Sequence, residues 1–199
     1  MKYYALLLTT GLIFALSCKQ AAPPVSADLE GFELTQVPGS AFYQAVKIVD
    51  SIKVQEGYVL DGRKNGVWLD YAPDGKISLI QHYVDGKLNG PSITLDTRWQ
   101  VTARADYTDG RYDGVKATYK FGRPEEEVMY RNGEVDGLSK KYYQTGKLME
   151  EAEYSNNQLN GYYRHYNETG EKDLEYEYRN GEKISGGIVV KPAGTSDNQ

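Results

Sequence analysis

Glycine returns along this chain on a fixed step, and that step leaves few folds open. A first Gly recurs at Gly62, Gly86, Gly110, Gly133 and Gly181, with Asn157 standing in once. A second, four residues on, recurs at Gly66, Gly90, Gly114, Gly137 and Gly161, and Gly186 is a further candidate. A mid-repeat position reads Tyr71, Leu95, Tyr119, Tyr142 and Tyr166, and a closing position reads Tyr83, Tyr107, Tyr130, Tyr154 and Tyr178. Every series steps by 24 residues, apart from one 23-residue step out of the third repeat. Four columns on one period define a repeat protein, whose stacked units share a continuous core.

Within each repeat the hydrophobic period is that of strands. Asp61-Gly62, Asp85-Gly86, Asp109-Gly110, Asn132-Gly133 and Asn180-Gly181 are dipeptides that favour positive φ in tight hairpin turns. After the second Gly, alternate positions are apolar at Val67/Leu69/Tyr71, Ile93/Leu95 and Val115/Ala117/Tyr119. A turn follows at Pro73-Asp74-Gly75, Thr145-Gly146 or Glu168-Thr169-Gly170, and a second run ends at the closing Tyr. Gly every few residues excludes helices. The expected fold is all-β: an elongated single-layer antiparallel sheet of tandem β-hairpin repeats of about 24 residues. A mean hydropathy of -0.62 is too polar for a thick core. The 18 Tyr suit a thin sheet, in which aligned columns form tyrosine ladders along one face, the rings buried and the hydroxyls wet.

The two ends are separate objects. Lys2 precedes an apolar run, Tyr3 to Leu16, of signal-peptide length, and residues 1–18 end in Ala15-Leu16-Ser17-Cys18. Residues 19–30 are small, polar and Pro-containing and read as a tether. Residues 31–60 form an N-terminal cap with a half-repeat at Ile48 to Leu60; Phe42 to Val46 fits a strand or a short helix. Residues 61–190 carry the array, and 191–199 form a polar tail expected to be disordered. Without residues 1–18 the chain has 22 basic and 28 acidic residues, which disfavours nucleic acid and anionic lipid as general partners.

Ala15 to Cys18 resembles the lipobox of bacterial lipoproteins, which implies diacylation of Cys18 as the first mature residue. Cys18 is the only Cys, so it can form no internal disulfide, and an exposed thiol would be a liability in an exported protein. The start Cys18-Lys19-Gln20 lacks the Asp that favours inner-membrane retention, so the resemblance implies a lipid-anchored protein of the cell envelope, at the outer membrane. Gly62, Gly66, Trp68, Tyr71 and Gly75, with Gly161, Tyr163, Tyr166 and Gly170, resemble bacterial MORN-variant repeats (MORN: membrane occupation and recognition nexus) across roughly residues 57–186. Repeat two departs at Pro91, Leu95 and Trp99, and repeat three has Lys116 at the Trp site. The resemblance implies the hairpin array and includes a group labelled antitoxin-like.

No reaction is legible. Adjacent carboxylates at Glu125-Glu126-Glu127 alternate faces on a strand, and His82 and His165 lack metal spacing. The Asp column becomes Asn132, Asn156 and Asn180, which keeps turn chemistry and loses the charge a cation would need. The expectation is therefore no enzyme, no metal and no cofactor. Packing between hairpins accounts for the tyrosine ladder. Its functional alternative is an aromatic strip, at Tyr143, Tyr162, Tyr163 or Tyr176, presented to a protein or a glycan. Three functions remain open: an interaction or scaffold surface, a glycan- or peptidoglycan-binding module, and an inhibitor or immunity-like partner of a toxin.

Overall fold

The computed structural model describes residues 26–189. A 3-10 turn, Ala27–Leu29, leads into strands β1 (Glu33–Gln36), β2 (Tyr43–Val49), β3 (Ile52–Leu60), β4 (Arg63–Tyr71) and β5 (Ile77–Val84). Then come β6 (Lys87–Leu88), β7 (Gly90–Leu95), β8 (Val101–Thr108), β9 (Arg111–Lys120) and β10 (Arg123–Arg131). The array ends with β11 (Glu134–Tyr142), β12 (Leu148–Ser155), β13 (Gln158–Tyr166), β14 (Lys172–Arg179) and β15 (Glu182–Ile188). All fifteen belong to one antiparallel sheet in which each strand pairs with its neighbours in sequence; β6 and β7 both pair with β5 and act as one interrupted strand. The all-β hairpin array expected from the repeats is the observed fold.

Connections alternate between two rims. On the lower rim, Asp61-Gly62, Asp85-Gly86, Asp109-Gly110, Asn132-Gly133, Asn156-Asn157 and Asn180-Gly181 all hold positive φ at both residues, the geometry that matches strand twist. Each later turn also reaches back one repeat. The amides of Gly86, Gly110, Gly133, Asn157 and Gly181 donate to the carbonyls of Lys64, Leu88, Tyr112, Val135 and Leu159 at 2.7–2.9 Å. Arg63 pairs with Asp85 and Lys87 with Asp109, both at 2.6 Å. Where the residue after the turn ceases to be basic, at Glu134 and Gln158, the next turn carries Asn156 or Asn180. These pairs are exposed and add little energy; they favour the correct neighbour.

On the upper rim, Gly75, Gly146 and Gly170 occupy the left-handed position of longer turns closed by hydrogen bonds such as Ala72 N to Lys76 O at 2.8 Å. Repeat three replaces this turn with the two-residue Phe121-Gly122, which accounts for the single 23-residue step.

The second Gly column is placed differently from the expectation that strands begin after it. In repeats one, three, four and five the first strand runs through that Gly as a bulge, and in repeat two the strand is interrupted just before Gly90. Ala152 faces Tyr163 and Tyr154 faces Leu159, so three residues around Gly161 oppose Glu153 alone. Gly161 has φ 125°, and a Cβ there would lie 2.8 Å from the Cβ of Glu153. On its other side the same Gly pairs regularly with Tyr178.

Two expectations about the N-terminal part change. Residues 26–30, expected within the tether, pack on the sheet: Ser26 N donates to Gly62 O at 3.0 Å, and Leu29 is buried with Ala45, Val59 and Trp68. Phe42 to Val46, open to strand or helix by pattern, leads into β2, because pairing with both β1 and β3 satisfies its backbone. This cap end holds the main core. Trp68 lies flat on Gly57 and donates Nε1–H to Tyr58 O at 3.0 Å.

A methyl group at Gly57 would collide with the indole of Trp68. Gly57→Ala should therefore lower unfolding free energy by about 1–3 kcal/mol in urea titration. Gly187→Ala, where nothing lies within 4 Å, should leave it within about 0.5 kcal/mol.

Candidate functional site

Cross-strand partners share a face of the sheet, so the register assigns each column to one side. The closing tyrosines Tyr83, Tyr107, Tyr130, Tyr154 and Tyr178 pair with Gly66, Gly90, Gly114, Gly137 and Gly161 on the face that carries Trp68. The mid-repeat tyrosines lie on the opposite face. There Tyr71 donates to the carboxylate of Glu56, and Tyr142 donates to Glu127 Oε2 at 2.8 Å. The expected ladders along one face are thus corrected to one ladder per face, because the mid-repeat Tyr lies five residues after the Gly that pairs with the closing Tyr, and an odd separation along a strand changes face.

The mid-repeat pairing has a sequence signal that column reading missed. Tyr71 and Glu56 are 15 residues apart, as are Tyr142 and Glu127, and in repeat two both members become apolar, at Leu95 and Ile80. Glu127 is thereby turned away from Glu126, which faces Lys141 across the sheet, so the carboxylates of this run diverge as alternation requires. His82 meets the Asn89 carbonyl through Nδ1 at 2.7 Å, and His165 meets Asp173 at 2.6 Å.

On the Trp68 face, repeat one is covered. Phe32 packs edge-on against Trp68 at 5.5 Å, and Trp68 against Tyr83 at 6.3 Å. Lys64, 8% exposed, lies beneath these rings with Nζ 4.4 Å from Trp68 and 5.3 Å from Tyr83. Burial lowers its pKa, with partial compensation from Asp28 and Asp70.

The positions equivalent to Trp68 are Ser92, Lys116, Ser139 and Tyr163. Among the described residues no cap segment reaches them, and a trough opens there. A cavity of about 390 Å³ has Ser139 and Ala152 as its floor and Tyr154, Tyr163, Tyr176 and Tyr178 as walls. The Lys141–Glu150 ion pair, at 3.2 Å, stands at one side. Tyr163 and Tyr176 stack at 6.5 Å and 22°, and Lys183 Nζ lies 4.0 Å from the Tyr176 ring. A second cavity of about 270 Å³, lined by Val128, Tyr130 and Val135, shares Ser139 and Tyr154 with the first. Together they extend the trough across repeats three to five.

The four tyrosines named as candidates for an aromatic strip do not share one face. Tyr163 and Tyr176 lie together in the trough. Tyr162 faces the other side, 39% exposed, with the Arg164 guanidinium 4.5 Å from its ring. Tyr143 sits on the upper rim and donates to Tyr166 O at 2.8 Å. The trough instead recruits Tyr154 and Tyr178, which sequence reading had placed among the repeat-defining residues. Cys18 lies outside the described residues.

The family model for "MORN repeat variant" matches residues 64–85 and 135–156. Two of the hairpin repeats thus match the MORN-variant pattern. They are the first and fourth, and each match runs through a bulge Gly to a closing Tyr on the trough face. Among curated proteins none matches the chain.

The buried rings make a pH prediction. Burial and the Glu127 carboxylate push Tyr142 up to about 12, and burial raises Tyr83, Tyr107 and Tyr163. Unfolded tyrosine ionises near ~10. A folded-state pKa raised above that value contributes stability that is present below about pH 10 and lost as pH rises through the folded value. The melting temperature should therefore fall between about pH 10 and 12, together with the rise of phenolate absorbance. An unchanged melting temperature across that window would contradict the assigned burial.

Proposed function

We propose that the protein is an interaction or scaffold module of the cell envelope, anchored through a lipid on Cys18, whose MORN-variant array binds a partner protein in the tyrosine trough. One observation carries this reading. On repeat one the trough face is covered by Leu29 and Phe32 of the chain's own cap, whereas on repeats three to five the equivalent face is open and walled with tyrosine. The cap supports this reading, since it is an irregular polypeptide segment that presents an aromatic ring over the central column. Tyrosine is a residue of choice for such contacts, because it offers a large rigid ring at small conformational cost.

The anchor reading rests on the lipobox-like run and on Cys18 being the only cysteine. Seven residues separate Cys18 from Ser26, a reach of at most about 30 Å. Anchoring would hold the cap end close to the bilayer and leave the open trough at the far end of the array. The missing Asp after Cys18 supports the outer membrane as the site.

A glycan in the trough is the second reading, favoured by the stacked Tyr163–Tyr176 pair beside Lys141 and Glu150. Co-purification from envelope extracts should recover a saturable protein partner. Tyr163→Ala with Tyr176→Ala should weaken that capture about tenfold or more without loss of the fold. Co-sedimentation with cell-wall material in place of protein capture would select the glycan. Neither result, with the fold intact, would remove the trough as a site. Separately, Cys18→Ser should move the protein from the membrane fraction to the soluble fraction; a variant still fully membrane-bound would overturn the anchor.

A further inference from the structure

Two upper-rim turns depart from the rest. At the left-handed position that Gly75, Gly146 and Gly170 fill, repeat two places Trp99 at φ 64°. Repeat three, in its shortened turn, places Phe121 at φ 52°. A bulky side chain in this region is a genuine backbone outlier, and such strain clusters at functional sites. Packing does not explain either residue: Trp99 is 58% exposed and Phe121 72%.

The two turns are neighbours on one rim, and the Arg98 guanidinium between them lies 5.8 Å from the Phe121 ring. Beyond Phe121 is a cavity of about 210 Å³, bounded by Pro124, Tyr142 and Tyr143 and flanked by Lys120 and Arg123. It is smaller than the roughly 300–1,000 Å³ that holds a whole small molecule and fits a single large side chain. Arg123 spends its hydrogen bond on the uncharged carbonyl of Gln144, at 2.9 Å. Lys120 and Arg123 make no ion pair among the described residues, although Glu125 stands in the same wall. Arg98 is held by Asp96 at 3.3 Å, so in a chain of net charge -5 the cations at this point of the rim without an ion pair among the described residues are Lys120 and Arg123.

We propose that this rim is a second binding site, separate from the trough, for an acidic segment of a partner protein. One large apolar side chain of the segment enters the cavity beside Phe121. Its carboxylates face Lys120 and Arg123, and Trp99 covers the adjoining residues. Aromatic and arginine side chains together are the composition of interface hot spots, and the cations select the sign of the partner.

Panning of the full chain against a random-peptide library tests this. The expected enrichment is in peptides that combine Asp or Glu with one large apolar residue. The best of them should bind the Trp99→Gly/Phe121→Gly double variant about tenfold or more weakly, with affinity falling as salt rises. Glycine relieves positive φ, so the variant's melting temperature should hold or rise, which separates lost binding from lost fold. Tyr163→Ala/Tyr176→Ala should leave peptide binding unchanged, so the rim and the trough fail independently. The proposal is overturned by enrichment without acidic bias, by binding that survives the double variant, or by a melting temperature that drops with it. It is equally overturned if anionic phospholipid vesicles or a uronic-acid oligosaccharide bind the rim in place of peptide.

Discussion

The structure depends on the backbone hydrogen bond by which each lower-rim turn reaches back to the preceding repeat. A hairpin alone is marginal in water, and an open sheet with polar faces is prone to register slip. Here Gly86 holds Lys64 O, and the same contact recurs at Gly110, Gly133, Asn157 and Gly181. Each contact requires positive φ at two successive turn residues, which explains why Asp, Asn and Gly persist there. The bulge at the second Gly adds a further constraint, since it fits only where the preceding repeat presents a residue such as Glu153 against bare backbone. Register is set by turns and bulges, and the faces are released from that duty.

That division of labour bears on function. The main core is concentrated at the cap end, around Leu29, Ala45, Val59 and Trp68. Farther along, Ser139 and Ala152 occupy the central column of the same face, and the tyrosines around them stack upon one another instead of under a cover. A face that contributes little to register can vary in its side chains from repeat to repeat. Trp68, Ser92, Lys116, Ser139 and Tyr163 place four chemistries at one position of one backbone.

Much of this architecture was legible in the sequence because its determinants are local. Turn dipeptides, the Gly columns and strand alternation led to the hairpin array, and Phe121-Gly122 explains the one irregular step that was visible as a number. The sites were less legible. The distribution of tyrosines between faces follows from parity along each strand, which reading by repeat column passes over, so Tyr162 and Tyr163 were grouped while facing opposite ways. Tyr154 and Tyr178 were hidden by their regularity as repeat-defining residues. Lys64 was unreadable because its burial comes from Phe32 and Tyr83, on either side of it in the chain and brought over it only by the fold. Trp99 was noted as a departure from the repeat, but its strained backbone is a property of the folded turn.

In the proposed function one face of repeats three to five receives the partner. Leu138 and Ser139 test it most directly, because adjacent residues of β11 project to opposite faces. A photo-cross-linking amino acid would be placed at each position in turn, in cells. Discrete partner adducts from position 139 and none from 138 are the predicted result. Adducts from 138 alone, or from both equally, would contradict it.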